Sequence, residues 1–381
     1  MIPNDTRNFR QKKISIIFVK NQSCFIVGVE ALTYNGHMEL NTKMRHSRVA
    51  VYGVDHNHCE AKIKELRNHS DEFEIVGVFC ESDDAYKKRI EGCSTYQDLP
   101  IFFDKEAFFS LPDIDFMLVE PAVPNLLTFA KECVERGYHM HVDKPLGFDL
   151  HTWKEVLQEA EDKKLVIQPG YMYRYNKGIE YALKRAKEGA LGKIFHISAD
   201  MSTGLPVWSK KGLLSYNVNS PAMYIYGVHL IDLILTLMGE PNSISHYSTC
   251  SHIDGFDFLD NSFAVLAYPN GIATVKTFAT EIGGWEHREF KICGDKGTIR
   301  VSPIENKMVV EECLQEEVKN CWRPSSHIVP IEEPSYRYLD QLRRLVKMIR
   351  GEENNPYSYE HEYLVQKLTL QACGYEVNDD E

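Results

Sequence analysis

Between residues 48 and 167, short β-branched runs alternate with stretches of helical spacing, and this alternation limits the possible folds more than any other feature. The runs at 48–53, 74–80, 114–119, 138–142 and 166–167 have the length of buried strands. Residues 58–69, 124–136 and 150–164 fall between them with helix-like spacing, and the second stretch stops at Gly137, a residue suited to a left-handed helix end. Repeated strand–helix units predict right-handed crossovers around a parallel sheet.

After Gly192 the texture changes. Residues 194–199 read as a strand and 222–238 as a helix apolar on most faces. From 243 to 310, short runs are separated by turn signals: Asp254-Gly255, Pro269-Asn270-Gly271, Gly283-Gly284 and Gly294-Asp295-Lys296-Gly297. That is the rhythm of an antiparallel sheet. Residues 335–351 and 360–376 return to helical spacing. The expected fold is α/β: an N-terminal Rossmann domain over 44–167, then an α/β domain over 168–381 with a mostly antiparallel open sheet and C-terminal helices. Residues 1–43 read as an extension, either an over-extended start or a disordered appendage, because Met44 precedes the first strand as a natural start would. Within it, the apolar runs at 14–19 and 24–29 could pair as a hairpin, and their interruption at 20–22 is wrong for a signal segment.

The chain has 381 residues, 43% hydrophobic and 26% charged, the balance of an ordinary globular protein with a normal core. Its net charge of −12, with no basic block, argues against nucleic acid or an anionic membrane surface as a partner. No apolar run approaches the ~20 residues a spanning helix needs. The ten cysteines are scattered, with no Cys-x-x-Cys pair and no zinc-like spacing, so reduced thiols in a cytoplasm and no metal are expected.

Chemistry is expected where strands end, since α/β folds bind ligands in the crevice at the carboxyl ends of parallel strands. The run at 138–142 stops abruptly in Asp143-Lys144-Pro145, and the next ends in Gly170-Tyr171-Met172-Tyr173-Arg174-Tyr175-Asn176. Taken alone, Lys144 could be a surface lysine in a turn.

The segment HVDKPLG resembles the Glu-Lys-Pro motif of the Gfo/Idh/MocA oxidoreductases, with aspartate in place of the commoner glutamate. GYMYRYNKGIEYALKRAKEGALGKI, YGVHLIDLILTLMGEP and GDKGTIRV are similar to later family segments, in the right order, and the resemblance runs from about Arg48 to the C-terminus. It implies an NAD(P)-dependent oxidoreductase acting on a sugar, cyclitol or related hydroxylated metabolite. Two other outcomes fit the same resemblance. One is a degenerate member that binds nucleotide or sugar without turnover. The other is an NAD-dependent enzyme that eliminates or cleaves glycosides through transient oxidation.

The residue roles follow from the same resemblance. The turn Gly53-Val54-Asp55-His56-Asn57-His58 stands where a dinucleotide fold wants Gly-x-Gly-x-x-Gly, and only Gly53 is kept. Asp55 must turn away from a pyrophosphate or cap the helix; a helix N-terminus can still bind phosphate. Cys80 takes the family's acidic ribose-binding position and the adjacent Glu81 substitutes for it. With no arginine in that turn, NAD is expected rather than NADP. Asn125 matches a polar position near the nicotinamide ribose, with a purely structural helix start as the alternative. Lys144 would hold the substrate hydroxyl and polarise its C–O bond. His229 would exchange the hydroxyl proton, and Asp232, on the same helix face, would orient its imidazole. Many family members have a carboxylate four residues before this histidine, where this chain has Ile225. Tyr171, Tyr173, Arg174 and Asn176 are the expected polar contacts to substrate; Trp322-Arg323-Pro324 with His327 is a second polar–aromatic cluster that either reaches the cleft or packs a loop. The family's sheet packing implies a homodimer or homotetramer.

Overall fold

The structure, a computed structural model, describes residues 31–34, 37–40, 45–315, 325–332 and 336–377. The chain forms two compact units, Met1–Arg45 and His46–Glu381. In the first, β1 (Ala31–Tyr34) pairs antiparallel with β2 (His37–Leu40). The runs at 14–19 and 24–29, and Trp322-Arg323-Pro324, lie outside the described residues.

The second unit opens on a six-stranded parallel sheet: β3 (Ser47–Tyr52), β4 (Phe73–Phe79), β5 (Ile101–Phe102), β6 (Phe116–Val119), β7 (Met140–Val142) and β8 (Ile167–Pro169). Their spatial order is β5-β4-β3-β6-β7-β8, so the chain reverses direction of growth between β3 and β6. This is the doubly wound order whose switch point opens a crevice at the strands' carboxyl ends. The linking helices are α1 (Cys59–Asn68), the single turn α2 (Asp83–Ala85), α3 (Lys105–Phe109), α4 (Leu126–Glu135) and α5 (Leu150–Asp162). Val49, Val51 and Val78 pack with Cys59, Ile63 and Leu66 of α1 on one face; Ala50, Tyr52, Met117 and Val119 pack with Leu126, Phe129 and Ala130 of α4 on the other. Every β3 position inward of the edge is therefore apolar, as a sheet covered on both faces requires.

After α6 (Lys177–Lys187) comes an eight-stranded sheet ordered β10-β11-β12-β9-β13-β14-β15-β16. Its strands are β9 (Ile194–Asp200), β10 (Ser243–Thr249), β11 (Asn261–Tyr268), β12 (Gly271–Phe278), β13 (Glu289–Gly294), β14 (Gly297–Val301), β15 (Val310–Leu314) and β16 (His327–Val329). All neighbours are antiparallel except β9 and β12, because α7 (Val207–Leu214), α8 (Val228–Met238) and the β10–β11 hairpin intervene before β12 returns beside β9. Alternate residues of β11, β12 and β13 are buried, so one face meets the helices and the other is left partly open. A single turn, α9 (Gly284–His287), precedes β13.

The expected continuous helix over 222–238 divides. Met223–Gly227 is a π-turn that runs into α8. An apolar pattern on most faces cannot register an extra residue in one turn, and such turns recur at functional sites. The last two helices, α10 (Leu339–Ile349) and α11 (Tyr359–Ala372), turn back across the unit. Leu339, Leu342 and Leu345 join the core beneath β3 and α1, and Arg343 pairs with Glu72. α11 lies against α5 and α8.

Candidate functional site

At the switch point the turn after β3 carries Gly53 at φ +88°, and a Cβ there would stand 2.6 Å from the backbone nitrogen of Pro121. Only glycine lets this turn approach the loop after β6 so closely. The turn's amides have internal partners. The Glu81 carboxylate accepts the N–H groups of Val54 (2.9 Å) and Asp55 (3.2 Å), and His56 N–H donates to the Glu120 carbonyl (3.0 Å). Burial raises the Glu81 carboxyl above its ordinary range. Asp55 pairs with Lys88 (2.7 Å) and Arg89 (3.0 Å) and does not cap α1, and Arg89 also donates to Asn57 Oδ1 (2.7 Å). An arginine therefore stands beside the turn after β3. Lys88 and Arg89 fold back from the π-turn Tyr86–Ile90, which the linear spacing concealed. Cys80 is buried, its thiol donating to the Ser82 carbonyl, and contributes no charge here.

Behind the crevice lies a buried charge cluster that sequence reading missed. Lys62 of α1 is fully buried, its ammonium 2.5 Å from Glu120 Oε1, 2.6 Å from Asp143 Oδ2 and 2.8 Å from His141 Nε2. Burial alone would lower its pKa, but the Asp143 and Glu120 carboxylates outweigh that and raise it. His58 Nδ1 lies 2.9 Å and His56 Nδ1 3.2 Å from the same Asp143 oxygen. His56, His58 and Asp143 have the composition of a metal-ligand set, yet the Lys62 ammonium already supplies their cation. Burial would raise the Asp143 carboxyl, but His56, Lys62 and His58 hold it well below its ordinary range. A signal for Lys62 was present: with Cys59, Ile63 and Leu66 it completes the buried stripe of α1.

Lys144 follows Asp143 through the shared loop and faces a cavity of about 270 Å³ between the two sheets. His229, in the first turn of α8, faces the same cavity, as do His56, Asn57 and His58. The Lys144 ammonium donates to the backbone carbonyl of Ile225 (2.8 Å). The π-turn therefore gives Lys144 an acceptor where the residue-225 side chain has none. Burial, aided by the charges of Arg337, Lys62 and Arg288 against the opposing pull of Asp143, lowers the lysine to about 8. Burial, then Lys144 and His58, push His229 well below its ordinary range, so its imidazole is neutral at pH 7. Its Nδ1 is buried without a partner, and the rings of Tyr173 and Tyr171 lie 5.4 and 6.3 Å from it.

Several expected roles require correction. Asp232 does not orient His229. Its carboxylate takes both Arg174 Nε (2.9 Å) and Nη2 (2.6 Å), and His361 Nε2 (2.8 Å). Arg174 in turn holds Glu362 (2.7 Å) and is buried, so it is a structural ion-pair centre and not a substrate contact. Asn176 caps α6 through the Gly178 and Ile179 amides and donates to the Ile304 carbonyl. Tyr171 is buried with an unpartnered hydroxyl, and Tyr173 accepts from Arg288 (3.3 Å). Neither lines the Lys144 cavity, and Asn125 lies exposed outside it. His327 is on β16, 3.7 Å from Glu312 and away from the cavity. The residues the sequence did not single out are Trp285, Arg288, Arg337 and Tyr338, brought to the cavity from the second sheet and the segment before α10.

The crevice fits a dinucleotide in three respects: the close Gly53 approach, the N-terminus of α1 behind the turn, and an acidic side chain at the end of β4. The amides of Val54 and Asp55 become available to a phosphate only when Glu81 releases them.

Comparison with known proteins agrees with this geometry. Residues 47–171 match the model of an oxidoreductase family with an NAD-binding Rossmann fold, and residues 179–300 match the C-terminal domain of the same family. An uncharacterised oxidoreductase of Escherichia coli, YhhX, is 26% identical over 231 residues, which are 61% of this chain and 64% of that one, just under two thirds of its length. The levoglucosan dehydrogenase of Pseudarthrobacter phenanthrenivorans is 28% identical over 145 residues, 35% of this chain and 36% of that protein. A crystal structure of the probable oxidoreductase yhhX superposes with a TM-score of 0.70 at 19% identity, covering 87% of this chain and 98% of that one. The chain belongs to the Gfo/Idh/MocA family of oxidoreductases.

Proposed function

We propose that this protein is an NAD-dependent dehydrogenase that interconverts a secondary alcohol and a ketone on a sugar, cyclitol or related hydroxylated metabolite. The observation that carries the reading is that Lys144 and His229 face one cavity at the switch point of a doubly wound sheet. The turn 53–57, Glu81 and Lys144 would hold the cofactor, and a bound nicotinamide would accept or return the hydride. The neutral His229 imidazole takes the hydroxyl proton. The Lys144 ammonium stabilises negative charge growing on the substrate oxygen, in a site where water is largely excluded. Ile225 does not remove this chemistry, because its carbonyl holds Lys144 in place. Glu81 at the end of β4 favours free ribose hydroxyls and so NAD over NADP, while Arg89 is engaged by Asp55 and Asn57. The levoglucosan dehydrogenase relative supports a carbohydrate substrate.

The test is fluorescence titration with NADH and NADPH, followed by a panel of sugars, cyclitols and their acids with absorbance of the reduced cofactor as readout. Tighter NADH binding and net cofactor reduction by at least one compound are expected. Binding without turnover would instead identify a degenerate member. Conversion without net cofactor reduction would identify an eliminating enzyme, and tighter NADPH binding would overturn the cofactor assignment.

A further inference from the structure

The cavity has a marked charge imbalance. Lys144, Arg288 and Arg337 line it, and among the described residues none of its lining side chains is a carboxylate. The nearest acids are already engaged. Glu305 serves two guanidiniums at once, 2.8 Å from Arg288 Nη1 and 3.1 Å from Arg337 Nη2. Glu120 and Asp143 lie behind the wall on Lys62.

The donors are equally telling. Arg288 is 0% exposed and stacks 3.7 Å over the Trp285 ring. Its Nη1 donates to Glu305 and Tyr173 and its Nη2 to Thr203, but its Nε–H is buried with no acceptor. The neighbouring Trp285 Nε1–H is likewise buried and unpartnered. Leaving a buried donor unsatisfied is costly, and native structures rarely keep two together without reason. Two unpartnered N–H groups on neighbouring residues that line a cationic cavity equal in number the two oxygens of one carboxylate.

We propose that the cavity binds an anionic substrate, a sugar acid or related polyhydroxy carboxylate, whose carboxylate accepts from Arg288 Nε and Trp285 Nε1 with Arg337 alongside. The inference rests on the reading of this cavity as the substrate site, and it narrows the substrate class. A seated carboxylate would keep the hydroxyl-bearing carbons in the cavity that Lys144 and His229 also line.

The experiment is calorimetric titration of the NAD-saturated protein with D-glucuronate, D-galacturonate and D-gluconate, against D-glucose and D-glucose 6-phosphate. At least one sugar acid is expected to bind at least about tenfold more tightly than glucose, as for a charged hydrogen bond worth roughly 1.5–3 kcal/mol. Because Arg288 is fully buried and its removal could unfold the protein, Trp285→Phe and Arg337→Gln carry the test. Each should weaken sugar-acid binding about tenfold while NADH binding, measured beside it, shows the variant to be folded. Equal affinity for glucose, absence of binding by all three acids, or tighter binding of the phosphate overturns the proposal. Acid binding without cofactor reduction would instead overturn the dehydrogenase reading and leave this one standing. Turnover of uncharged sugars alone would do the reverse.

Discussion

Lys144 and His229 share one cavity, and their surroundings push both pKa values down for the same first reason, burial. The consequences differ. His229 is neutral throughout the physiological range and available as a base. Lys144, lowered to about 8, is an ammonium below that pH and a neutral amine above it. kcat/KM for alcohol oxidation should therefore hold near neutrality and decline above about pH 8. Lys144→Arg, if it folds into the site, should remove that decline, and Lys144→Ala should lower turnover by roughly 10²–10⁴ with far less effect on NAD affinity. A profile still rising past pH 9 (~one unit beyond the lysine's value) would mean that the ammonium is not the working form. Both residues were legible in the sequence because they sit in contiguous motifs at element boundaries. Trp285, Arg288 and Arg337 were not, since nothing in WEHREF or SYRYLD distinguishes an inward cation from a surface one until the sheet order brings them to the cavity.

At the scale of elements, α8 shows how one helix carries two unrelated tasks. His229 faces the cavity, whereas Asp232, three residues on, faces Arg174, His361 and the start of α11. Sequence spacing correctly put both on one side of the helix, but a three-residue step rotates the later side chain enough to reach a different neighbour. Which neighbour depends on Arg174 and Glu362, 188 residues apart, and no local pattern encodes that pairing. Burial tends to raise Asp232, and the Arg174 charge with the His361 hydrogen bond more than reverses it, so the carboxylate is ionised in the fold. Asp232→Ala leaves Arg174 with only Glu362 and should cost about 3–5 kcal/mol of stability, as for breaking a buried ion pair. The pH–rate profile of the surviving folded enzyme should be unaltered. Chemical denaturation and a pH series would check it; a shifted profile with unchanged stability would restore Asp232 to the proton path. Five of the six parallel strands, and β9 of the second sheet, were readable from the apolar runs, whereas the two-residue β5 and the late strands β15 and β16 were not. The π-turn at Met223–Gly227 was not, because its apolar residues satisfy a helical pattern in either register.

For the whole molecule, the two sheets differ in how they are covered. The parallel sheet has helices on both faces, while the eight-stranded sheet has an open face on which Phe195, Tyr247 and Ile272 are 49%, 62% and 50% exposed. Such a face is the place for a subunit contact, and a homodimer or homotetramer is the expected state. Light scattering at micromolar concentration should report a multiple of the chain mass, and Ile272→Asp should shift it toward the monomer. A monomeric wild type would count against the arrangement. The parallel first sheet and the mostly antiparallel second one followed from alternation and turn signals, but the strand orders and the return of the chain's end did not. α10 buries Leu339, Leu342 and Leu345 under the first sheet, Arg343 reaches Glu72, and Glu65 accepts the Arg337 and Tyr338 amides. The nucleotide-binding half is thus finished by residues made last. Until α10 emerges, that flank of the sheet has no apolar cover from Leu339, Leu342 and Leu345. A fragment cut after the sixth parallel strand would keep the Gly53 turn and Glu81 and still expose an apolar face fit for aggregation.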